Sequence, residues 1–311
     1  MKKKLLFELK SLYRDSMRIY GYEFGEGRKS ACIIGAMRGN EIQPLLSCGQ
    51  LIKVLKQYEA AGKIEKGKSI LVIPSVNPYS MNIGKRFWPT DDSDINRMFP
   101  GYNKGETTQR IAAAVFEEIK DYENGIQFAS FYIPGAFLPH VRMMKTGYEN
   151  KALAKKFGMP YVILRDPRPY DSATLNFNWQ IWEANAFSVY THDTTSSDMA
   201  GIRQGVDAVL TYLSETGIVN SGLHGRTSSQ IINESDMINV KSKSAGMFRR
   251  CFDVNDYVRK GEKIAEIVNP YDFTVISEVT SPVNGTIFFT QQNPLTYANA
   301  VLFKIIPEYG N

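Results

Sequence analysis

With 311 residues, 43% of them hydrophobic and 22% charged, the chain has the composition of a folded globular protein and is long enough for one large domain plus a smaller appendage. Its net charge of +5 is dispersed, its one basic run is Lys2-Lys3-Lys4 at the N-terminus, and no DNA or RNA recognition module is visible, so no nucleic acid is expected as a partner. No stretch reaches the ~18 apolar residues that a membrane span needs, and three cysteines without metal-type spacing suit a reducing, cytoplasmic setting.

In chain order, residues 5–20 are expected to form a helix, because Glu8, Lys10, Arg14 and Asp15 interrupt what would otherwise resemble a signal peptide. The apolar runs at 31–36 and 69–74 have strand length, and the segment 42–60 between them carries Leu45, Leu46, Leu51, Ile52, Val54 and Leu55 at helical spacing. Glu106-Thr107-Thr108 opens a further helix with Ile111, Val115, Phe116 and Ile119 on one face. Strands are expected at 126–132, 161–164 and 187–190, and helices at 150–157 and 198–214. This alternation predicts a mixed, mostly parallel sheet covered by helices on both faces, a three-layer α/β/α domain over residues 1–219. Beyond the turn-rich connector at 220–225 the runs become short and β-like, with turns at Lys260-Gly261-Glu262 and an Asn284-Gly285 hairpin signal. A small all-β, barrel-like domain is expected over residues 235–307.

The polar residues that stand out lie where the apolar runs end. Arg38-Gly39-Asn40-Glu41 follows the first strand, and Asp94-Ile95-Asn96-Arg97-Met98-Phe99-Pro100-Gly101 ends in a sharp turn, preceded by Asn77-Pro78 and Arg86. A guanidinium fork beside an amide is well suited to holding a carboxylate. These residues give the chain its resemblance to the succinylglutamate desuccinylase and aspartoacylase family of zinc carboxypeptidase-like hydrolases, and the resemblance covers nearly the whole chain.

The resemblance implies an amide-bond hydrolase, a deacylase or carboxypeptidase acting on N-acyl amino acids or small peptides. It also implies zinc held by a His-Gly-Asn-Glu strand end, matched here by Arg38 through Glu41, with Glu41 the remaining ligand. The family's next ligand, a histidine in a strand reading Asp-Leu-His-Ser, falls at Ala129 of Gln127-Phe128-Ala129-Ser130. Its general base, a glutamate, falls near Tyr190. Catalytic zinc needs three protein ligands and an open position. No zinc is therefore expected in the family manner, and a rebuilt site would draw on Glu41, His140, His192 and Asp193. Without a metal, the second reading is a pseudoenzyme that binds an amino-acid-like carboxylate and does not hydrolyse it.

The catalytic candidates are Arg38, Glu41 and His140, and the substrate-binding candidates are Arg86, Asn96 and Arg97. Each has a plainer reading. Arg38 and Glu41 form a salt bridge or present a fixed cation to the substrate; Arg97 anchors the turn or grips the ligand; His140 is structural or an acid–base group. His224 belongs to the linker, and Phe177, Trp179, Trp182 and Phe187 form core or line the pocket. The expected partner is a small carboxylate-bearing substrate or ligand, with no membrane, and a homo-oligomer is left open. The C-terminal domain is expected to act as a lid or assembly element and to carry no biotinyl or lipoyl group.

Overall fold

The computed structural model describes residues 1–12, 15–131, 134–191, 197–225 and 228–308. The chain divides into two compact units, one built from residues 1–130 and 139–231, the other from 131–138 and 232–311.

In the first unit the elements run β1 (Lys2–Leu9), β2 (Met17–Gly25), β3 (Gly27–Ala36), α1 (Ile42–Ala60), β4 (Gly67–Ser75), α2 (Pro78–Asn82), α3 (Thr107–Ile119) and β5 (Asn124–Phe128). After β6 (Gly135–Phe137), which belongs to the second unit, come β7 (His140–Met144), α4 (Lys151–Lys155), β8 (Tyr161–Arg165), α5 (Leu175–Ile181), β9 (Asn185–Tyr190), α6 (Met199–Glu215) and β10 (Gln230–Asn233), within which the first unit ends at Ile231. They build a nine-stranded sheet in the order β1-β2-β4-β3-β5-β9-β7-β8-β10. Its centre, β4, β3, β5 and β9, is parallel, while β2 joins β4 and β7 joins β9 antiparallel.

Alternation along the central strands decides which helix each residue meets. Ile33, Val72, Ile126 and Val189 face Leu51 and Leu55 of α1 and Val206 and Val209 of α6. Cys32, Ile34, Ile73 and Ala186 face Ile111, Val115 and Ile119 of α3 and Trp179 of α5. Helices are needed on both faces because the parallel strands are apolar on both. Gly125 gives the Trp179 ring its place, since a Cβ there would come within 2.4 Å of it.

Three expectations for this unit need correction. Among the described residues, 5–12 and 15–20 are not helical; β1 and β2 pair antiparallel, with Leu6 and Ile19 buried. Met17-Arg18-Ile19-Tyr20-Gly21-Tyr22 is rich in β-branched and aromatic residues, and β2 gains a partner in β4, so sheet pairing overrides the weak helical spacing. The strand expected at 126–132 runs from Asn124 to Phe128, and Tyr132 lies outside the described residues. The four aromatics do not form one cluster: Trp179 and Phe187 are buried on opposite faces of the sheet, and Trp182 is exposed.

The second unit contains two antiparallel sheets. One orders β11 (Ile238–Lys241), β18 (Val301–Pro307), β16 (Gly285–Gln291) and β13 (Tyr257–Val258), with β6 also pairing with β16. The other orders β15 (Val275–Thr280), β14 (Lys263–Val268), β12 (Gly246–Arg250) and β17 (Leu295–Thr296). Val258, Ile264, Ile267, Ile287, Leu302, Phe303 and Ile305 form its core. Asn284-Gly285 does not join a hairpin, because β15 and β16 belong to different sheets. The Asn284 side chain instead accepts a hydrogen bond from the Lys260 N–H at 2.8 Å, and Gly285 lies so close to strand β18 that a Cβ would sit 2.2 Å from the Ile306 carbonyl.

Cys32 and Cys48 are fully buried, and burial raises both thiol pKa values far above the ordinary range, whereas Cys251 is exposed. Reactivity follows the thiolate. One thiol should therefore react with Ellman's reagent in the native protein and three after denaturation. A second fast native thiol would contradict this packing.

Candidate functional site

The polar residues named from the sequence gather at the carboxyl ends of β3, β5 and β9, the end of a parallel sheet where loops diverge. Strand β3 ends at Ala36, and the chain turns back so that the Glu41 carboxylate accepts the backbone N–H groups of Met37 at 2.8 Å and Arg38 at 3.0 Å. The turn is pressed against the loop after α2. Gly39 donates its N–H to the Arg86 carbonyl at 3.0 Å, and a Cβ at Gly39 would lie 2.1 Å from the Lys85 carbonyl oxygen. That fixes the Arg86 backbone; its guanidinium lies 5.3 Å from the Phe87 ring.

Arg38 is 6% exposed and Glu41 1%. The guanidinium donates to Glu41 Oε1 at 3.0 Å and, through Nη2 and Nε, to Asp94 Oδ2 at 2.7 and 3.2 Å. Ser130, just beyond β5, donates its hydroxyl to the same Glu41 oxygen. Glu41 thus accepts two backbone N–H groups, one guanidinium and one hydroxyl. Burial opposes the charge of Arg38, but Glu41 and Asp94 together outweigh it and hold the guanidinium above its ordinary pKa. Ala129 is buried, and its N–H bonds to the Val189 carbonyl at 3.0 Å.

Asp94 also caps the short 3-10 turn Ile95–Arg97, accepting the Asn96 N–H at 3.1 Å. The Asn96 side-chain oxygen accepts the Leu175 N–H at 3.2 Å and so ties this turn to the start of α5. Arg97 donates from Nη1 to the Tyr170 carbonyl at 2.8 Å and to Asp171 at 3.1 Å, and its guanidinium lies 5.0 Å from the Tyr170 ring centre. Asp171, 1% exposed, also accepts from Arg165 Nη2 at 3.1 Å and the Arg168 N–H at 3.0 Å. Asn96 and Arg97, two of the three sequence-predicted carboxylate binders, therefore already bond within the chain.

His140 is 1% exposed and stacks on Tyr190, the rings 4.6 Å apart and 5° from parallel. The two residues face each other across β7 and β9. Arg142 covers the ring at 4.5 Å and donates to its hydroxyl. His224, in the linker, pairs with Glu215 at 3.0 Å, and His192 and Asp193 lie outside the described residues. Sequence reasoning missed Asp171, Ser130 and Arg142. Only Asp171 had a signal, the Pro-interrupted charged run Arg165-Asp166-Pro167-Arg168-Pro169-Tyr170-Asp171 that closes β8. Two surface grooves of about 700 and 680 Å³ run along α6 and α3 and include none of the predicted site residues.

Comparison with known proteins agrees with this geometry. Residues 28–189 match the model of the succinylglutamate desuccinylase/aspartoacylase catalytic domain, and the chain belongs to that family, whose members include deacylase-type hydrolases. An N-alpha-acetyl-L-2,4-diaminobutyric acid deacetylase from Halomonas elongata is 24% identical over 268 residues, which cover 80% of this chain and 72% of the relative. The succinylglutamate desuccinylase/aspartoacylase structure from Rhodobacter sphaeroides superposes with a TM-score of 0.77 at 18% identity, covering 95% of this chain and 90% of that one. The product-bound ectoine utilization protein EutE from Ruegeria pomeroyi gives 0.75 at 18% identity, covering 93% and 89%. These structural likenesses establish the shared fold.

Removing one member of a buried ion pair leaves a charge without compensation and typically costs about 3–5 kcal/mol. Glu41→Ala should lower the unfolding free energy by about that amount in urea titration. A loss below about 1 kcal/mol would mean that the pair contributes little to stability.

Proposed function

We propose that the chain recognises a small, carboxylate-bearing N-acyl amino acid at this strand-end site and does not hold zinc in the family manner. The single observation behind the second half is the Arg38 guanidinium bonded to both Glu41 and Asp94. Zinc requires a set of three protein donors around an open position. Glu41 has its oxygens engaged by four donors, Ala129 has no donor, and a fixed guanidinium repels a dication. Among the described residues no group of three or more His, Cys, Asp or Glu side chains has metal-holding geometry. Of the residues for a rebuilt site, His140 is stacked on Tyr190 and Glu41 is ion-paired, while His192 and Asp193 lie outside the described residues.

The ligand class is supported by family membership and by the relative named as a deacetylase of an acetylated diamino acid. Arg86, Asn96 and Arg97 are the residues that the resemblance offers for its carboxylate. Hydrolysis of the same ligand is the second reading, favoured by the family's chemistry, and product formation in purified protein decides between them.

Zinc titration with atomic emission analysis tests the metal half. The unmodified protein should take up no stoichiometric zinc. Arg38→His combined with Ala129→His should gain measurable affinity, while either single change should do little, because the donors act together. Stoichiometric zinc bound through Glu41 in the unmodified protein would return it to the zinc-dependent reading. Calorimetry with N-acetyl-L-2,4-diaminobutyrate in metal-free buffer tests the ligand half, and binding is expected.

A further inference from the structure

The second unit carries an apolar patch on its surface. The cross-strand partners Val275, Val268, Met247 and Leu295 lie in a row across β15, β14, β12 and β17. Directly opposed residues share a face of the sheet, and this row faces away from the core. One step along, the opposed pair Phe248 and Ile267 points into it. Alternation alone would turn Val275 inward with Ser277 and Val279. An extra residue in β15, Ile276, shifts the register and sets Val275 opposite Val268 on the outer face. Val268 is buried, but Val275 and Ile276 are exposed, and Leu295 is 63% exposed.

Three aromatic side chains enlarge this end of the sheet. Tyr297, just after β17, is 79% exposed; Tyr271, 95% exposed, and Phe273 lie in the turn between β14 and β15. The turn is tightly bonded. The Phe273 N–H donates to the Asn269 carbonyl and the Asn269 N–H to the Thr274 carbonyl, both at 2.9 Å. Asp272 accepts the Thr274 N–H at 3.0 Å and its hydroxyl at 2.7 Å. Phe273 has a φ of 61°, a left-handed conformation that a bulky residue keeps only where its surroundings hold it. The rings are thus presented on a pre-ordered loop, which lowers the entropy lost on binding.

Further along the same outer face the side chains are charged. Arg249, Glu266 and Glu278 form the next outward row, and Lys263 bonds to both glutamates. A contiguous apolar area bordered by charge marks an interaction surface. With about 150–250 Å² in each aromatic side chain, the exposed parts of the patch sum to several hundred Å², the order of the ~800 Å² that each partner gives a standard interface.

We propose that this end of the four-stranded sheet is the contact between two copies of the chain, packed face to face about a two-fold axis that crosses the strands. Such a contact lays the apolar row of one copy on that of the other. It also brings the acidic tip, with Asp272 between Tyr271 and Phe273, over the end of the sheet that carries Arg249 and Lys263 in the other copy. Arg249 is free to answer it, being 3.8 Å from Glu266 and mostly exposed. The same carboxylate argues against a lipid surface as the occupant, because the tip would carry Asp272 into an apolar or anionic layer.

Sedimentation equilibrium of the full chain and its variants tests the contact. Wild-type protein should be a dimer in the micromolar range. Tyr271→Ser combined with Tyr297→Ser should weaken the dimer at least tenfold, and Leu295→Asp should give monomer where wild type is dimeric. If Leu295→Asp does not fold, the double variant still decides, since both of its rings lie in solvent in the single chain. Arg249→Glu should weaken the dimer several-fold at low salt, and an unchanged dimer there would overturn the proposed direction of the axis. Wild-type protein that stays monomeric throughout the micromolar range would overturn the proposal, as would a dimer that the tyrosine and Leu295 variants leave intact. Monomeric protein that sediments with phosphatidylserine–phosphatidylcholine vesicles would overturn it too and assign the patch to a membrane.

Discussion

The interaction on which the rest of the site depends is the guanidinium of Arg38 held between Glu41 and Asp94. It joins the turn after β3 to a residue that caps the turn Ile95–Arg97, and that turn in turn fixes the start of α5 through Asn96. One cation between two carboxylates would leave an excess of negative charge in the interior. The two backbone N–H groups and the Ser130 hydroxyl on Glu41 disperse it. A network of this kind is stable only when complete, because each missing donor would leave a buried charge only partly solvated by the protein.

The first unit shows three ways of accommodating a buried or partly buried arginine. Arg38 is neutralised from both sides, Arg97 shares a carboxylate with Arg165, and Arg142 lies against an aromatic face. These differ in what they leave available. A guanidinium matched by carboxylates is part of the scaffold, while one set against a π-face and a phenol is held mainly in its orientation. His140 also lies against an aromatic face, its ring stacked on Tyr190.

Much of the fold could be read from the sequence because the central strands are apolar on both faces and the helices between them carry one-sided stripes. Ile33 and Ile34 pointing to opposite cores follow directly from strand geometry. The run from Asp94 to Gly101 was legible as a loop because Asp94 caps it and Gly101, with a φ of 95°, ends it. The bonds made by Arg97 were not legible, since Asp171 lies 74 residues further on and nothing local indicates which carboxylate a guanidinium will find. Nor was the β1–β2 hairpin, where pairing with β4 outweighed local preference. Nor were the contacts of Arg142, since Tyr190 lies 48 residues further on.

Strand β6 has a consequence for how the protein can be taken apart. Its three residues, Gly135–Phe137, pair with Phe289, Thr290 and Gln291 of β16, roughly 150 positions later in the chain. The second unit is thus discontinuous in sequence, and a fragment starting at residue 232 would carry a β16 edge with unpaired N–H and C=O groups beside Phe289. Such an edge invites strands from other molecules. During synthesis β6 must wait for β16 to emerge, and the closure of so long a loop ties the completion of the C-terminal sheet to a segment made much earlier. Insertion or fusion between residues 131 and 138 would therefore disturb the unit that lies furthest from it in sequence.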